Sequence, residues 1–183
     1  MNVGHFYAVI YIRVEKMDYA LTTDEVQKLV PDLKLVLYPD LGKLRELPRK
    51  TLLLYFDNPM GGHWTLLLRR GARDIEVFDS YGVKPDQEFE WIGREKRRAN
   101  GQPKNWLTQK LIKFDKVEYN PYKFQADSGE QEIATCGRWC ALRALFSDLT
   151  IDEFWAMINH YAGALKVSRD ELAVMMTAPA LGK

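Results

Sequence analysis

Residues 51–82, TLLLYFDNPMGGHWTLLLRRGARDIEVFDSYG, limit the fold more than any other stretch. Three apolar runs, Leu52 to Phe56, Trp64 to Arg69 and Asp74 to Phe78, have the length and composition of strands. Asn58, Pro59 and the Gly61–Gly62 pair break the first from the second, and Gly71 turns the second into the third. Runs this short, joined by turns this tight, predict an antiparallel meander. Helix signals stand on both sides of it. LTTDEVQKLV, TIDEFWAMINHY and SRDELAVMM each open on a capping box, pairing Thr22 with Glu25, Thr150 with Glu153 and Ser168 with Glu171. From Cys136, CGRWCALRALFSDL reads as a buried helix, with Trp139, Ala141, Leu142, Leu145 and Phe146 at mixed helical spacing. WLTQKLIKF predicts a further helix, and HFYAVIYIRVE and DKVEY predict strands. Strands gather in the first half and helices at both ends, so the class is α+β.

Two stretches carry no such signal. DQEFEWIGREKRRANGQPKNW is polar and basic and reads as an exposed insert, and NPYKFQADSGEQEIAT reads as a long loop. A chain of 183 residues suits one core, so a single domain over residues 1–183 is expected. Net charge is +1, which gives no global pull toward nucleic acid or membrane. No apolar run approaches the ~20 residues of a membrane span, and the N-terminus lacks the parts of a secretory signal. The only two cysteines, Cys136 and Cys140, make no disulfide framework. A reducing intracellular setting is therefore expected.

Chemistry points to the first of those thiols. Cys136 stands where a helix begins, so unpaired backbone N–H groups and the positive end of the helix dipole favour its thiolate. Thr135 precedes it, and Gly137 after it lets the backbone approach a ligand. Cys140, one turn deeper, is expected to be a small buried hydrophobe. A base is available among only three histidines. His63 follows Gly61 and Gly62, which leave room for a substrate backbone, and it leads into a predicted strand. Asp79, 16 residues later, closes the next strand. Antiparallel pairing brings both to one edge of the sheet, where a carboxylate can hold an imidazole. An oxyanion would need the Cys136 N–H and a second donor, for which Gln125 and Gln131 both qualify. His5 and His160 acquire no role. Zinc would require Cys136, Cys140 and a histidine to converge, and neither CxxC nor HxxxH spacing is present, so no metal is expected.

The ordered set GHW, FDSYG, a glutamine and TCGRWC opening a helix resembles the adenovirus-protease-like cysteine proteases, relatives of the proteases that remove SUMO and other ubiquitin-like modifiers. The resemblance runs from about Leu52 to Leu145. It is nearest to versions encoded by double-stranded DNA viruses and related mobile elements. There YPDL, GHW, DSYG with a following PD, and TCGRW followed by an arginine (Arg143 here) occur together. The resemblance implies a papain-related architecture with the nucleophile at the start of a buried helix. It makes Cys136 the nucleophile, His63 the base, Asp79 its orienting partner and Gln125 the oxyanion donor, the last from the aromatic–Gln pair in YKFQ. Gln125 stands eleven residues before Cys136, farther than family members keep it, and Gln131, at five, is the alternative. Trp64, Gly62 and Gly137 would line the substrate path.

The implied activity is endopeptidase cleavage at small, Gly-rich sites. A viral member would trim capsid or core precursors, working in host cytoplasm or nucleus and travelling in the particle. Removal of a ubiquitin-like modifier is the alternative, and a catalytically silent protein-binding domain of the same fold is the third reading. No cofactor is required by the sequence, although an activating peptide or DNA would fit the resemblance. Arg94, Lys96, Arg97, Arg98 and Lys104 are the residues for a weak DNA contact; most such runs are solvated faces. A polypeptide substrate and no membrane partner are expected.

Overall fold

The computed structural model describes residues 20–58, 61–126 and 134–182. The strand expected in HFYAVIYIRVE and residues 127–133 of the long loop, with Gln131 among them, lie outside these ranges. The elements are α1 (Thr23–Leu29), β1 (Lys34–Leu37), α2 (Tyr38–Leu41), β2 (Lys50–Asn58), β3 (Gly61–Arg69), β4 (Asp74–Asp79), α3 (Phe89–Ile92), α4 (Arg94–Ala99), α5 (Trp106–Leu111), β5 (Lys116–Tyr119), α6 (Cys136–Leu145), α7 (Ile151–Leu165) and α8 (Arg169–Leu181). The class is mixed α and β.

The meander is present as β2, β3 and β4, antiparallel in that order. It sits inside a five-stranded mixed sheet of order β1-β2-β3-β4-β5. Both outer strands run parallel to their neighbours, Leu35 beside Leu52 and Val117 beside Ile75. β1 was not expected: KLVL is four residues long, and its partner is reached only after a helix and a loop. A strand so short leaves no periodicity to read.

Apolar side chains leave the sheet on both faces. Leu52, Leu54, Leu66, Leu68 and Phe78 meet Val26, Trp139, Leu142, Phe154 and Leu172 from α1, α6, α7 and α8. Leu53, Tyr55, Leu67, Ile75 and Val77 meet Tyr38, Leu41, Phe89, Ile92 and Leu107 on the other side. The run LLLYF in β2 is therefore buried on both faces, which explains why it does not alternate with polar residues. All three capping boxes form, at Thr22, Thr150 and Ser168.

The segment expected to be an exposed insert is instead anchored. Asp86, Glu88, Phe89, Ile92 and Gln102 are buried, and α3 packs into the second core. Asp86 accepts from Tyr38 Oη at 2.5 Å and Tyr55 Oη at 3.1 Å, and its second oxygen takes Thr108 N–H at 2.9 Å. The buried acid joins YPDL to the PD that follows DSYG. Within this segment the short helix α4, REKRRA, has no buried residue. Even there Arg97 covers the Phe89 ring and donates to the carbonyl of Pro103 and to Asn105. Arg94, Lys96, Arg98 and Lys104 are exposed.

Candidate active site

β3 and β4 place the imidazole and the carboxylate. Thr65 pairs with Asp79 across the two strands, and His63 lies two residues earlier on the same face of β3. His63 Nε2 donates to Asp79 Oδ2 at 2.5 Å. Both are buried, at 8% and 1% exposure, so the pair is shielded from water. Thr65 Oγ1 lies 3.2 Å from the same oxygen of Asp79, and Asp79 Oδ1 accepts the Tyr81 N–H at 2.7 Å. The Tyr81 ring stacks on the imidazole with centroids 5.1 Å apart, and half-exposed Trp91 meets it edge-on at 6.4 Å.

The turn after β4 binds the loop that carries the glutamine. Phe124 and Gln125 donate their N–H groups to Ser80 O at 2.8 and 2.9 Å. Asn120 donates to Asp79 O at 2.5 Å. Gln125 is buried; its Oε1 accepts from Ser80 Oγ at 2.9 Å and its Nε2 donates to Tyr81 Oη at 3.1 Å. Gly82 closes the turn at φ 72°, and a Cβ there would meet Tyr122 O at 2.8 Å. The glycine in DSYG is required by the backbone.

Cys136 is the first residue of α6. Thr135 makes no side-chain cap to this helix, unlike the residues before α1, α7 and α8. Its hydroxyl donates instead to Asp170 of α8. Asp170 also accepts from Trp139 Nε1 at 3.0 Å and from Ala126 N at 2.9 Å. One carboxylate thus ties the end of the glutamine loop to the start of the cysteine helix. The backbone donors at that start are not consumed by a cap.

The side chain of Cys136 hydrogen-bonds the His63 ring. With Nε2 given to Asp79, Nδ1 is the nitrogen left for the thiol. Burial alone would lower the His63 pKa, but the charge and hydrogen bond of Asp79, and then those of Cys136, raise it well above the ordinary imidazole value. The site therefore favours imidazolium. Cys140 Sγ donates to Trp64 O at 3.4 Å, and burial pushes its thiol pKa far up. It is fully buried, and among the described residues Cys136 and Cys140 join no histidine in a cluster of metal-ligand atoms. His63, Asp79 and Glu88 bring ligand-type atoms within 4.8 Å of one another. Two ligands of one zinc, each about 2.0–2.2 Å from it, stand farther apart than the 2.5 Å between His63 and Asp79.

Trp64 is buried against α6, with its ring beside Gly137. At Gly62 a Cβ would fall 1.7 Å from Tyr55 O, so the close approach of β2 and β3 demands glycine there. Sequence reasoning singled out His63, Asp79, Cys136 and Gln125, and the fold gathers all four. It passed over Thr65, Glu88, Tyr81, Ser80 and Asp170. Nothing distinguishes a buried threonine or acid from an exposed one in a single sequence, although Tyr81 lay inside the quoted DSYG.

No protein-family model matches the chain. It is 35% identical over 161 residues to Uncharacterized protein V9 of Sputnik virophage, spanning 84% of this chain and 91% of V9. The chain belongs to the V9 family. With V9 a virophage protein, the family is a viral one. Among the described residues of this V9-family chain, no helix is long and apolar enough to cross a membrane.

Proposed function

We propose that this V9-family protein is a cysteine endopeptidase of papain-related architecture, with Cys136 as nucleophile. The observation that carries the reading is a buried imidazole bonded on one side to a carboxylate and on the other to a thiol at an uncapped helix start. His63 takes the thiol proton of Cys136. The thiolate attacks the scissile carbonyl, and the oxyanion takes the Cys136 N–H and the Gln125 amide. In support, Ser80 holds the carbonyl oxygen of that amide and its nitrogen donates to Tyr81 Oη, whose ring stacks on His63. His63 gives its proton to the leaving amine as the C–N bond breaks, leaving an acyl-enzyme. Neutral His63 then takes a proton from water, hydroxide adds to the thioester, and collapse releases the acid and restores the ion pair.

The viral relative favours a maturation protease acting on capsid or core precursors over removal of a ubiquitin-like modifier. Small residues at the cut suit a site walled by Trp64, Tyr81 and Trp91. The test is to incubate purified protein with a mixture of virion precursor proteins and sequence the new N-termini by mass spectrometry. New termini following small residues, absent with Cys136→Ala, are the expected result. The same termini in both samples, or none in either, would leave the protein without the proposed activity.

A further inference from the structure

Behind Asp79 lies a second buried acid. Glu88, at the start of α3, is 1% exposed. Thr65 Oγ1 stands 3.2 Å from Asp79 Oδ2 and 3.1 Å from Glu88 Oε1. A hydroxyl owns one proton and can donate to only one of these oxygens. Were both acids ionised, the other contact would oppose lone pairs between buried groups. One carboxyl must therefore carry a proton. Asp79 already accepts from His63 Nε2 on one oxygen and from the Tyr81 N–H on the other, as an anion would. The proton belongs on Glu88. Glu88 Oε2 has no hydrogen-bond partner among the described residues, which a neutral carbonyl oxygen tolerates and a buried anion does not.

We propose that Glu88 is a positioning residue for the Cys136–His63 pair: a neutral acid that donates to Thr65, which donates to Asp79, so that the imidazolium faces one negative charge and not two. The proposal rests on the cysteine-peptidase reading. A second charge here would bind the imidazolium proton too tightly for transfer to a leaving amine. The titratable groups facing Glu88 are His63 on β3, Asp79 on β4 and Tyr55 on β2, with Asp86 beyond Tyr55. Burial, with the Asp79 charge added and His63 opposing, lifts the Glu88 pKa to about 8.

Two readouts test this on the intact protein. Infrared difference spectra should show a buried carboxylic-acid carbonyl at neutral pH that is lost near pH 8, is missing from E88Q, and shifts in frequency in Thr65→Val. Alkylation of Cys136 by iodoacetamide, followed against pH, should be within about twofold of wild type in E88Q at neutral pH, because the amide N–H replaces the acid O–H. The alkaline step of that profile, where His63 loses its proton, should come at lower pH in E88Q than in wild type. Absence of the carbonyl band, or superimposable alkylation profiles for E88Q and wild type, overturns the role of Glu88 while leaving the peptidase reading intact. If His63→Ala leaves the wild-type profile unchanged, the peptidase reading fails and this proposal with it.

Discussion

Asp79 closes a strand, starts a turn and holds an imidazole, and each task uses a different atom of the same residue. Its side chain being spent on His63 and on Tyr81 N–H, replacement by asparagine removes the charge that sustains the imidazolium. Asp79→Asn should slow Cys136 alkylation at neutral pH by about tenfold or more, since each unit of pKa lost by His63 is a factor of ten. Gln125 is open to an equally direct test. Gln125→Ala should lower kcat on a cleaved precursor by about 10²–10³-fold, the cost of one oxyanion donor, whereas Gln131→Ala should change it little. Equal losses in both variants would move the oxyanion role away from Gln125. His63 and Asp79 were legible in sequence because strand order and spacing bring them to one edge of the sheet, and Cys136 because it stands where a helix begins, within the ordered motifs of the resemblance. Thr65 and Glu88 were not, because their significance lies in which oxygens they touch. That depends on α3 folding back beneath the sheet, inside a stretch whose charge made it look solvated.

At the scale of elements, the three capping boxes fixed helix starts from four residues each, because the signal is local and its geometry nearly invariant. The parallel edge strands β1 and β5 depend on partners distant in sequence, so their direction could not be read. α6 is pinned to β4 by an ion pair buried at both ends. Arg143 Nε and Nη2 donate to the two oxygens of Glu76 at 2.7 and 2.9 Å. Burial alone would raise the Glu76 pKa, but Arg143 and then Arg70 hold it below the usual carboxylate value. Its contribution to stability is present above the ordinary carboxylate range and is lost as pH falls through the depressed value. Arg143→Met leaves the buried Glu76 carboxylate to Arg70 alone and should cost about 3 kcal/mol in urea denaturation, with the double variant Glu76→Leu/Arg143→Met recovering most of it. A single-variant loss no larger than that of a surface substitution would show that the pair does not hold the helix.

For the whole molecule, the site sits where both cores meet the same end of the sheet, so its ionisation is tied to global stability. Glu88 keeps its proton in the fold and releases it on unfolding between its ordinary value of 4.5 and about 8. Stability therefore falls as pH rises through that window. His63 acts in the same direction: its contribution is complete below the unfolded imidazole value and is lost as pH rises through the raised folded value. Calorimetry should show the wild-type unfolding temperature dropping between about pH 5 and about pH 9, and dropping less in E88Q. Equal drops would mean that Glu88 is ionised in the fold. The central claim is the activated pair of Cys136 and His63, and mass spectrometry that scores Cys136 and Cys140 separately tests it most directly. At about pH 6 Cys136 should be alkylated rapidly in wild type and at least about tenfold more slowly in His63→Ala, with Cys140 unmodified in both. Equal rates for Cys136 in the two proteins would contradict the account.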